Sequence, residues 1–373
     1  MPDRIDTAEA LATFLQEVRS APTVAVDTEA ASFHRYRDRI YLVQLSTGAR
    51  TAVVDPLAAT DLTPLGAFLA DPTVEKVFHD ADYDLRILDR DYGFRARRVF
   101  DTRIAAQLAG EPAIGLAALL ERYVGVALAK VHQKADWSQR PLPAGMITYA
   151  ADDVRHLPAL RAALAGRLRA LGRLAWAEEE FQRLENLRWT GPVDQDGAYL
   201  RAKGAQRLAP RQLAALRELW AWRHRVAERE DRALFRIVGN EALLAVARAL
   251  PADAAALARV RELPASLASR FGAALLAAVD QALRVADADL PRLERARRAP
   301  RDHEFEDRLE RVKGARNAAA ERLGIDAGVL LGRAALEAVA RTRPTNRADL
   351  ARLAELRRWQ VDLLGEALLS VLG

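Results

Sequence analysis

The stretch TVAVDTEA, residues 23–30, ends a short apolar run with two acidic side chains. Its length and its β-branched residues are typical of a buried strand. Side chains two residues apart leave a strand on the same face, so we expect Asp27 and Glu29 to point to one side of a sheet. The β-rich runs RIYLVQLST (39–47) and RTAVVDP (50–56) follow with few residues between them. They predict an antiparallel meander.

Beyond the meander, short strands alternate with helical patterns up to about residue 190. KVFH (76–79) and RVFD (98–101) are short β-rich runs on either side of a helical pattern. This βα alternation adds parallel strands to a sheet. Long helical patterns occupy roughly 143–188. The first half of the chain is therefore predicted to be a mixed sheet flanked by helices.

Two further segments carry acidic residues at informative positions. Asp84 lies in FHDADYDLRIL (78–88), where a predicted helix begins, and YAADDVRHL (149–157) contains Tyr149 and Asp153. The last two are four residues apart, so they share one face of a helix. If the three acidic segments meet, four carboxylates converge and repel one another unless protons or cations intervene. An all-oxygen site favours Mg²⁺ or Mn²⁺, and two such ions suit in-line phosphodiester hydrolysis.

Several neighbouring acids compete for these roles. Asp80 or Asp82 could cap the helix on which Asp84 lies. Asp152 points away from the face that Tyr149 and Asp153 share, so we expect it to be solvated. Asp101 lies between a strand and a helix, which predicts a helix N-cap.

Three polar residues near the predicted site have two readings each. His79, at the end of a predicted strand, could contact the scissile phosphate or the sugar, or form only a structural hydrogen bond. Gln44, on a predicted core strand, could serve the site or satisfy backbone groups. Arg140 could hold a phosphate or form a buried ion pair.

Composition excludes several classes of protein. The 373 residues are enough for two or three domains, and the absence of cysteine excludes disulfides, thiolate zinc sites and a cysteine nucleophile. The six histidines have no close metal-ligand spacing, and we find no Walker-type loop. The absence of cysteine fits a reducing setting, and we expect a cytoplasmic protein. No signal-peptide pattern and no apolar run of membrane-spanning length is found, so no membrane span is expected.

Charge is distributed unevenly between the two halves. Residues 1–190 contain 24 Lys and Arg against 26 Asp and Glu, whereas residues 191–373 contain 32 against 25. A basic half suits a polyanionic substrate. Only 5 of the 56 basic residues are Lys, however, so a genomic bias toward Arg is an alternative explanation.

The second half contains an internal repeat. GNEALLAVARALP begins at Gly239 and GRAALEAVARTRP begins at Gly332, an offset of 93 residues. The same offset relates Arg223 to Arg316 upstream, which indicates two copies of one small helical domain. The predicted limits are a catalytic domain at 1–190, a linker at 191–205, and helical domains at 206–287 and 288–373.

Together, these segments resemble a known family. DTE, the stretch from FH to Asp84, and YAADD are similar to the three motifs of the DEDD superfamily of exonucleases, in its tyrosine-bearing subclass, and the match is to the ribonuclease D family. DPL (55–57), DTRIAAQLAG (101–110) and DWSQRPL (136–142) extend the similarity. The two helical copies resemble HRDC domains, which are helical nucleic-acid-binding modules.

The resemblance implies an α/β, RNase H-like mixed-sheet exonuclease domain followed by two all-α helical-bundle domains. By position, Asp27, Glu29, Asp84 and Asp153 would be the ligands of two divalent ions, Mg²⁺ or Mn²⁺, and Tyr149 would orient the attacking water. The family usually has a bulky apolar residue directly after DTE. Here Ala30 stands there, and Phe33 could substitute for it in contacting the substrate.

The expected activity is 3′→5′ hydrolysis of RNA to nucleoside 5′-monophosphates. The expected partners are tRNA precursors and other structured RNA 3′ ends, and the expected state is a monomer without a membrane. A 3′→5′ DNA exonuclease is the alternative within the same chemistry, because the metal site would serve either polymer. A catalytically silent RNA-binding protein is the alternative of another class.

Overall fold

The computed structural model describes residues 1–59, 61–129, 131–191, 197–293 and 302–372, and the chain forms two compact units. The first unit contains Met1–Ala30, Ile40–Trp189 and Ala299–Gly373. The second contains Ala31–Arg39 and Thr190–Arg298. Part of the predicted linker, 192–196, and most of the arginine-rich stretch 292–301 lie outside the described residues.

A mixed sheet forms the centre of the first unit. Its described strands are Asp3–Ile5 (β1), Thr23–Ala30 (β2), Ile40–Ser46 (β3), Thr51–Val54 (β4), Glu75–Phe78 (β5) and Val99–Asp101 (β6). The order across the sheet is β1-β4-β3-β2-β5-β6. β2, β3 and β4 pair antiparallel, whereas β5 and β6 continue the sheet in parallel from β2. The predicted meander and the predicted parallel strands are confirmed, and β1, which the sequence reading missed, pairs in parallel with β4.

Helices cover both faces of the sheet, and the alternation of side chains along β2 divides the core. Val24 and Val26 belong to a core built with the first three helices, whereas Ala25 belongs to a core built with the next five. Asp27 and Glu29 continue the Ala25 face of β2. The helices are Ala8–Val18 (α1), Thr63–Ala70 (α2), Asp82–Tyr92 (α3), Thr102–Ala109 (α4), Leu116–Val124 (α5), Ala144–Arg155 (α6), Leu157–Ala170 (α7) and Leu174–Leu184 (α8).

The helical repeat is confirmed element by element. The first copy consists of Pro210–Glu230 (α9), Leu234–Ile237 (α10), Asn240–Ala249 (α11), Ala254–Ala258 (α12) and Ala265–Leu283 (α13). The second consists of His303–Leu323 (α14), Ala327–Leu330 (α15), Arg333–Thr342 (α16), Arg347–Ala351 (α17) and Arg358–Ser370 (α18). Each helix of the second copy begins 93 residues after its counterpart.

The repeated arginines perform the same structural task in both copies. Arg223 donates to the carbonyl oxygen of Val238 at 3.0 Å, and Arg316 donates to that of Leu331 at 3.2 Å. Both bonds satisfy a carbonyl group after a four-residue helix, where the chain leaves the regular hydrogen-bond pattern. The sequence offset therefore reflects a shared fold.

The second copy packs against the helices of the catalytic domain within the first unit. The indole rings of Trp359 and Trp176 stack at 5.0 Å, and the indole Nε1 of Trp359 donates to Glu180 Oε1 at 3.0 Å. The backbones also approach closely, because a Cβ on Gly110 would collide with the carbonyl oxygen of Gly324. In the described part of the chain, no helix is both long enough and apolar enough to span a bilayer.

Candidate active site

Three of the predicted carboxylates meet at one end of β2. Asp27 and Glu29 lie on the strand, and Asp153 lies on α6, which packs on the same side of the sheet. One oxygen of each carboxylate lies within 4.8 Å of the others. Three carboxylate oxygens at this spacing could share one cation.

The fourth carboxylate, Asp84, is buried in the first turn of α3 and lies beside this group of three. It accepts a hydrogen bond from the hydroxyl group of Thr28, the residue between the two strand acids. Its charge raises the pKa of both Asp27 and Glu29, so it shares their electrostatic environment. The structure thus brings all four predicted acids to the same region of the catalytic domain.

Burial and mutual repulsion both hold protons on this cluster. Burial, followed by the charges of Asp84 and Glu29, raises the pKa of Asp27 well above its ordinary range. Burial, with the charges of Asp153 and Asp84, raises the pKa of Glu29 to about 9. Burial is also the main cause that raises the pKa values of Asp84 and Asp153 to about 7 each. Such a set of oxygen ligands gains most from a divalent cation, which replaces the protons and offsets the repulsion.

Tyr149 lies one turn before Asp153 on α6, as its spacing predicts. Its phenol group lies close enough to the carboxylates of Asp153 and Glu29 for their charges to act on it. Its ring contacts the rings of His132 and Trp137, at centroid distances of 5.6 and 6.2 Å. Burial and the nearby carboxylates raise the pKa of this phenol above its ordinary 10.0. Tyr149 is therefore neutral at physiological pH.

The hydrogen bonds of His79 determine which of its ring nitrogens carries the proton. Thr102 donates its one hydroxyl proton to the carbonyl oxygen of Phe78 at 3.0 Å. The Nδ1 of His79, 2.9 Å from the same hydroxyl oxygen, must therefore be the donor in that contact. Burial lowers the pKa of His79 to about 4, so the ring is neutral at pH 7 and its Nε2 is a hydrogen-bond acceptor.

A cavity of about 310 Å³ opens beside the carboxylates. Side chains of the predicted site and of the segment before α6 line it, among them Asp27, His79, Gln133, Tyr149 and Asp153. Its volume is at the lower end of the range for small-ligand pockets, which is suitable for one nucleotide unit. Two acids of the cluster, the neutral phenol and the neutral imidazole therefore face one concave space.

Gln44 occupies a register position that the sequence could not reveal. It lies on β3 directly opposite Asp27 of β2, so the two side chains emerge on the same face. Gln44 is fully buried, and both polar atoms of its amide lack a partner among the described residues. Buried polar atoms without a partner are costly. Since the side chain is inaccessible, a contact with substrate is disfavoured and a role behind Asp27 is favoured.

Arg140 is already saturated by hydrogen bonds to the protein. Its guanidinium group forms a bidentate pair with Asp55, at 2.6 and 2.9 Å. It also donates to the carbonyl oxygens of Trp137, Gln139 and Tyr41 at 2.8, 2.8 and 2.9 Å. These five bonds use the whole donor capacity of a guanidinium group. The arrangement favours the structural reading of Arg140 over phosphate binding.

Phe33 belongs to the second compact unit and not to the unit of the carboxylates. Its ring packs edge to face against Phe235 of the first helical copy, with 6.5 Å between centroids. The expected replacement for the residue after DTE is thus a residue of the helical unit. Asp101 caps α4 as predicted, accepting from the backbone N–H of Arg103 and Ile104 at 2.8 and 3.0 Å.

Three residues around the site went unnoticed in the sequence. Thr28 binds Asp84, and the rings of His132 and Trp137 flank Tyr149. Thr28 and Trp137 lie inside segments already singled out, DTE and DWSQRPL, so proximity to those motifs was the available signal. His132 had no signal of its own, because its contact depends on how the segment before α6 folds back.

Comparisons with known proteins agree with this geometry. The 3′-5′ exonuclease family model matches residues 2–169, and the HRDC domain model matches residues 212–279 and 305–372. The chain is 38% identical over 301 residues to ribonuclease D of Granulibacter bethesdensis, covering 79% of this chain and 75% of the relative.

Solved structures share the whole architecture. The crystal structure of Escherichia coli RNase D, titled an exoribonuclease involved in structured RNA processing, matches with a TM-score of 0.72 and 30% identity over 100% of this chain and 98% of that chain. A protein from Bifidobacterium adolescentis matches with a TM-score of 0.84 and 27% identity, over 100% and 97% of the two chains.

Proposed function

The chain belongs to the ribonuclease D family, and we propose that it is a metal-dependent 3′→5′ exoribonuclease that releases nucleoside 5′-monophosphates. The observation that carries the proposal is a cluster of four carboxylates with raised pKa values, two of which, Asp27 and Asp153, line a cavity together with Tyr149 and His79. The proposed substrates are the 3′ ends of tRNA precursors and other structured RNA. The relative from Escherichia coli, described as acting in structured RNA processing, supports this choice.

The proposed cofactors are two divalent ions, Mg²⁺ or Mn²⁺, held by Asp27, Glu29, Asp84 and Asp153. The donor set fits, because it consists of carboxylate oxygens, three of them within 4.8 Å of one another. When bound, such ions polarise the phosphate group, lower the pKa of the attacking water and stabilise the departing oxygen. Asp84 is held in place for this task by the hydroxyl group of Thr28.

Tyr149 is proposed to orient the attacking water. A general base must accept a proton near neutral pH, and a phenol with a raised pKa has no acceptor form available there. The contacts with the rings of His132 and Trp137 restrict the movement of the phenol, which stays next to the Asp153 carboxylate one helical turn away. Positioning rather than proton abstraction follows from these contacts.

His79 is proposed to bind a sugar hydroxyl group of the substrate. Its Nε2 is an acceptor, and phosphate diester oxygens carry no proton to donate. A ribose hydroxyl group is a donor, and the 2′-hydroxyl group is what distinguishes RNA from DNA. Of the two contacts expected for His79, the sugar is therefore favoured over the phosphate.

The decisive experiment is hydrolysis of a labelled RNA hairpin with a single-stranded 3′ tail, in Mg²⁺ and in EDTA. We expect stepwise shortening from the 3′ end and release of nucleoside 5′-monophosphates in Mg²⁺ only. Asp27→Asn should reduce turnover by several orders of magnitude while RNA affinity is retained. Full activity of this variant, or hydrolysis in EDTA, would contradict the proposed mechanism.

A matched DNA hairpin tests the choice of polymer. Equal kcat/KM values for the two hairpins would replace the proposal with a general 3′→5′ exonuclease. We further propose a monomeric, cytoplasmic enzyme with domain limits at 1–190, 206–287 and 288–373. Sedimentation of the full chain tests the monomer.

A further inference from the structure

The two helical copies differ in the side chains at two adjacent positions of their four-residue helices. The four-residue helix of the first copy reads LFRI and that of the second reads AGVL, so Phe235 and Arg236 stand where the second copy has Gly328 and Val329. Both helices bury their last residue, Ile237 or Leu330. The phenylalanine and arginine side chains are thus not required to form this part of the fold.

In the second copy, the residues at these two positions lie on a surface that faces the catalytic domain. Gly328 and Val329 line a cavity of about 790 Å³ together with Leu108 of α4 and Glu180 of α8. The Nε of Arg357, close to the start of α18, forms an ion pair with Glu180 at 3.1 Å. This surface of the second copy therefore faces the catalytic domain.

In the first copy, the same position carries an exposed aromatic pair. Phe235 is 56% exposed and Phe33 is 47% exposed, and their rings meet edge to face at 6.5 Å. Single exposed apolar side chains are ordinary, but an exposed pair of aromatic rings in contact indicates a binding surface. Both rings belong to the second compact unit.

An arginine completes this surface and holds its shape. Arg236 donates from Nε to the carbonyl oxygen of Phe33 at 2.6 Å, and its guanidinium carbon lies 5.8 Å from the centre of the Phe235 ring. The backbone N–H of Ala233 donates to the carbonyl oxygen of His34 at 3.1 Å. The two segments are thereby fixed to each other before any ligand binds, which reduces the entropic cost of binding.

The charges of the two copies differ in the same sense. Residues 197–293 contain 16 Lys and Arg against 10 Asp and Glu, a net charge of +6, whereas residues 302–372 contain 12 of each. Aromatic rings beside guanidinium groups on a basic domain are the combination that binds single-stranded nucleic acid, because bases stack on rings and phosphates attract cations.

We propose that Phe235, with Phe33 and Arg236, is a base-stacking site for single-stranded RNA, and that the second copy has exchanged this site for docking on the catalytic domain. The choice of RNA as ligand rests on the proposed function. The site binds bases without strong sequence preference, since every base has a face that can stack.

The test is equilibrium binding of the full-length chain to a fluorescent single-stranded RNA in EDTA, where hydrolysis is blocked. Phe235→Ala and Phe235→Leu should each weaken the Kd by about 5- to 100-fold, the cost of one lost stacking contact. Phe235→Trp should bind at least as tightly as the wild type. Leu283→Ala is the matched control, because Leu283 is a similarly exposed apolar residue of the same copy, at 45%, and its Kd should not change.

An RNA with abasic sites separates stacking from charge. Wild-type affinity should fall on the abasic RNA, whereas Phe235→Ala should show little further loss. An unchanged Kd in Phe235→Ala, or an equal loss on intact and abasic RNA, would overturn the stacking site.

The outcome is independent of catalysis. If the wild type fails to hydrolyse RNA in Mg²⁺, the proposed function fails while the binding result still stands. If the wild type hydrolyses RNA but Phe235→Ala leaves the Kd unchanged, only the stacking site is refuted. The aromatic pair then serves another partner, such as a protein.

Discussion

Replacing Asp153 by asparagine should stabilise the metal-free protein while abolishing its activity. Burial raises the pKa of Asp153 from its ordinary 3.8 to about 7, and the neighbouring Asp152 adds to the rise. Between about pH 4 and pH 7 the folded protein then binds more protons than the unfolded chain. The contribution of Asp153 to the free energy of unfolding therefore falls as pH rises through this window and is level above it.

The size of the effect follows from the window. Between pH 5 and a folded pKa of about 7 there are about 2 pH units, and each corresponds to about 1.4 kcal/mol. Wild-type protein should therefore lose about 3 kcal/mol of unfolding free energy from this group between pH 5 and pH 8. Asparagine has nearly the same shape and does not titrate. The substitution also removes the negative charge of Asp153, which, after burial, raises the pKa of Glu29.

Urea unfolding in EDTA at pH 5 and at pH 8 measures this difference. The stability of Asp153→Asn relative to wild type should increase by about 3 kcal/mol on going from pH 5 to pH 8. Asp152→Asn is the control, since Asp152 is half-buried and forms a surface ion pair with Arg155 at 2.9 Å. Its difference from wild type should change by less than about 1 kcal/mol. A difference for Asp153→Asn that is the same at both pH values would refute the electrostatic argument.

Mg²⁺ should make the wild type more stable than Asp153→Asn, the opposite of their order in EDTA. Ligand that binds only the folded state stabilises it in proportion to RT ln(1 + [L]/Kd). Millimolar Mg²⁺ at pH 8 should therefore raise the stability of the wild type more than that of Asp153→Asn. Equal stabilisation of both proteins by Mg²⁺ would show that Asp153 does not contribute to metal binding.

Three further substitutions test individual side chains. His79→Ala should lower kcat/KM for RNA by about tenfold, because one hydrogen bond to the substrate is lost. The wild-type rate should show no titration of His79 between pH 6 and pH 9, because the pKa of His79 is about 4. An inflection in that pH range that disappears in the variant would contradict the neutral ring. Gln44→Met should leave the melting temperature unchanged or raise it, because it removes two buried polar atoms that have no partners. The same variant should lower kcat if the amide positions Asp27. Full activity would assign Gln44 to packing alone. Arg140→Ala should reduce the unfolding free energy by about 3–5 kcal/mol, since it leaves the buried Asp55 unpaired, with little change in the Kd for RNA; a weakened Kd at preserved stability would restore the phosphate-binding reading.

Much of the fold was predictable because its signals are local. The short apolar run in TVAVDTEA predicted β2, the two-residue spacing predicted the shared face of Asp27 and Glu29, and helical spacing predicted that Tyr149 and Asp153 lie together on α6. The 93-residue offset predicted two helical domains with matching helices. Strand β1 was missed because three residues are too few to show a period.

The roles of polar residues were less predictable, because they depend on partners distant in the chain. Arg140 and Asp55 are 85 residues apart, and nothing in RPL indicates that every donor of the arginine is occupied. Gln44 is opposite Asp27 only through the strand register. Phe33, near DTE in the sequence, contacts a ring that lies more than two hundred residues further along the chain.

The amino-acid sequence alone determined most of the strands and helices, the shared face of Asp27 and Glu29, the shared face of Tyr149 and Asp153, and the double occurrence of one helical domain, because each of these depends on the spacing of neighbouring residues. Only the tertiary structure decided that Thr28 holds Asp84, that His79 presents an acceptor nitrogen, and that the second copy packs on the catalytic helices while the first exposes an aromatic pair. Burial and the supply of hydrogen-bond partners decide those properties, and both depend on contacts between residues far apart in the chain.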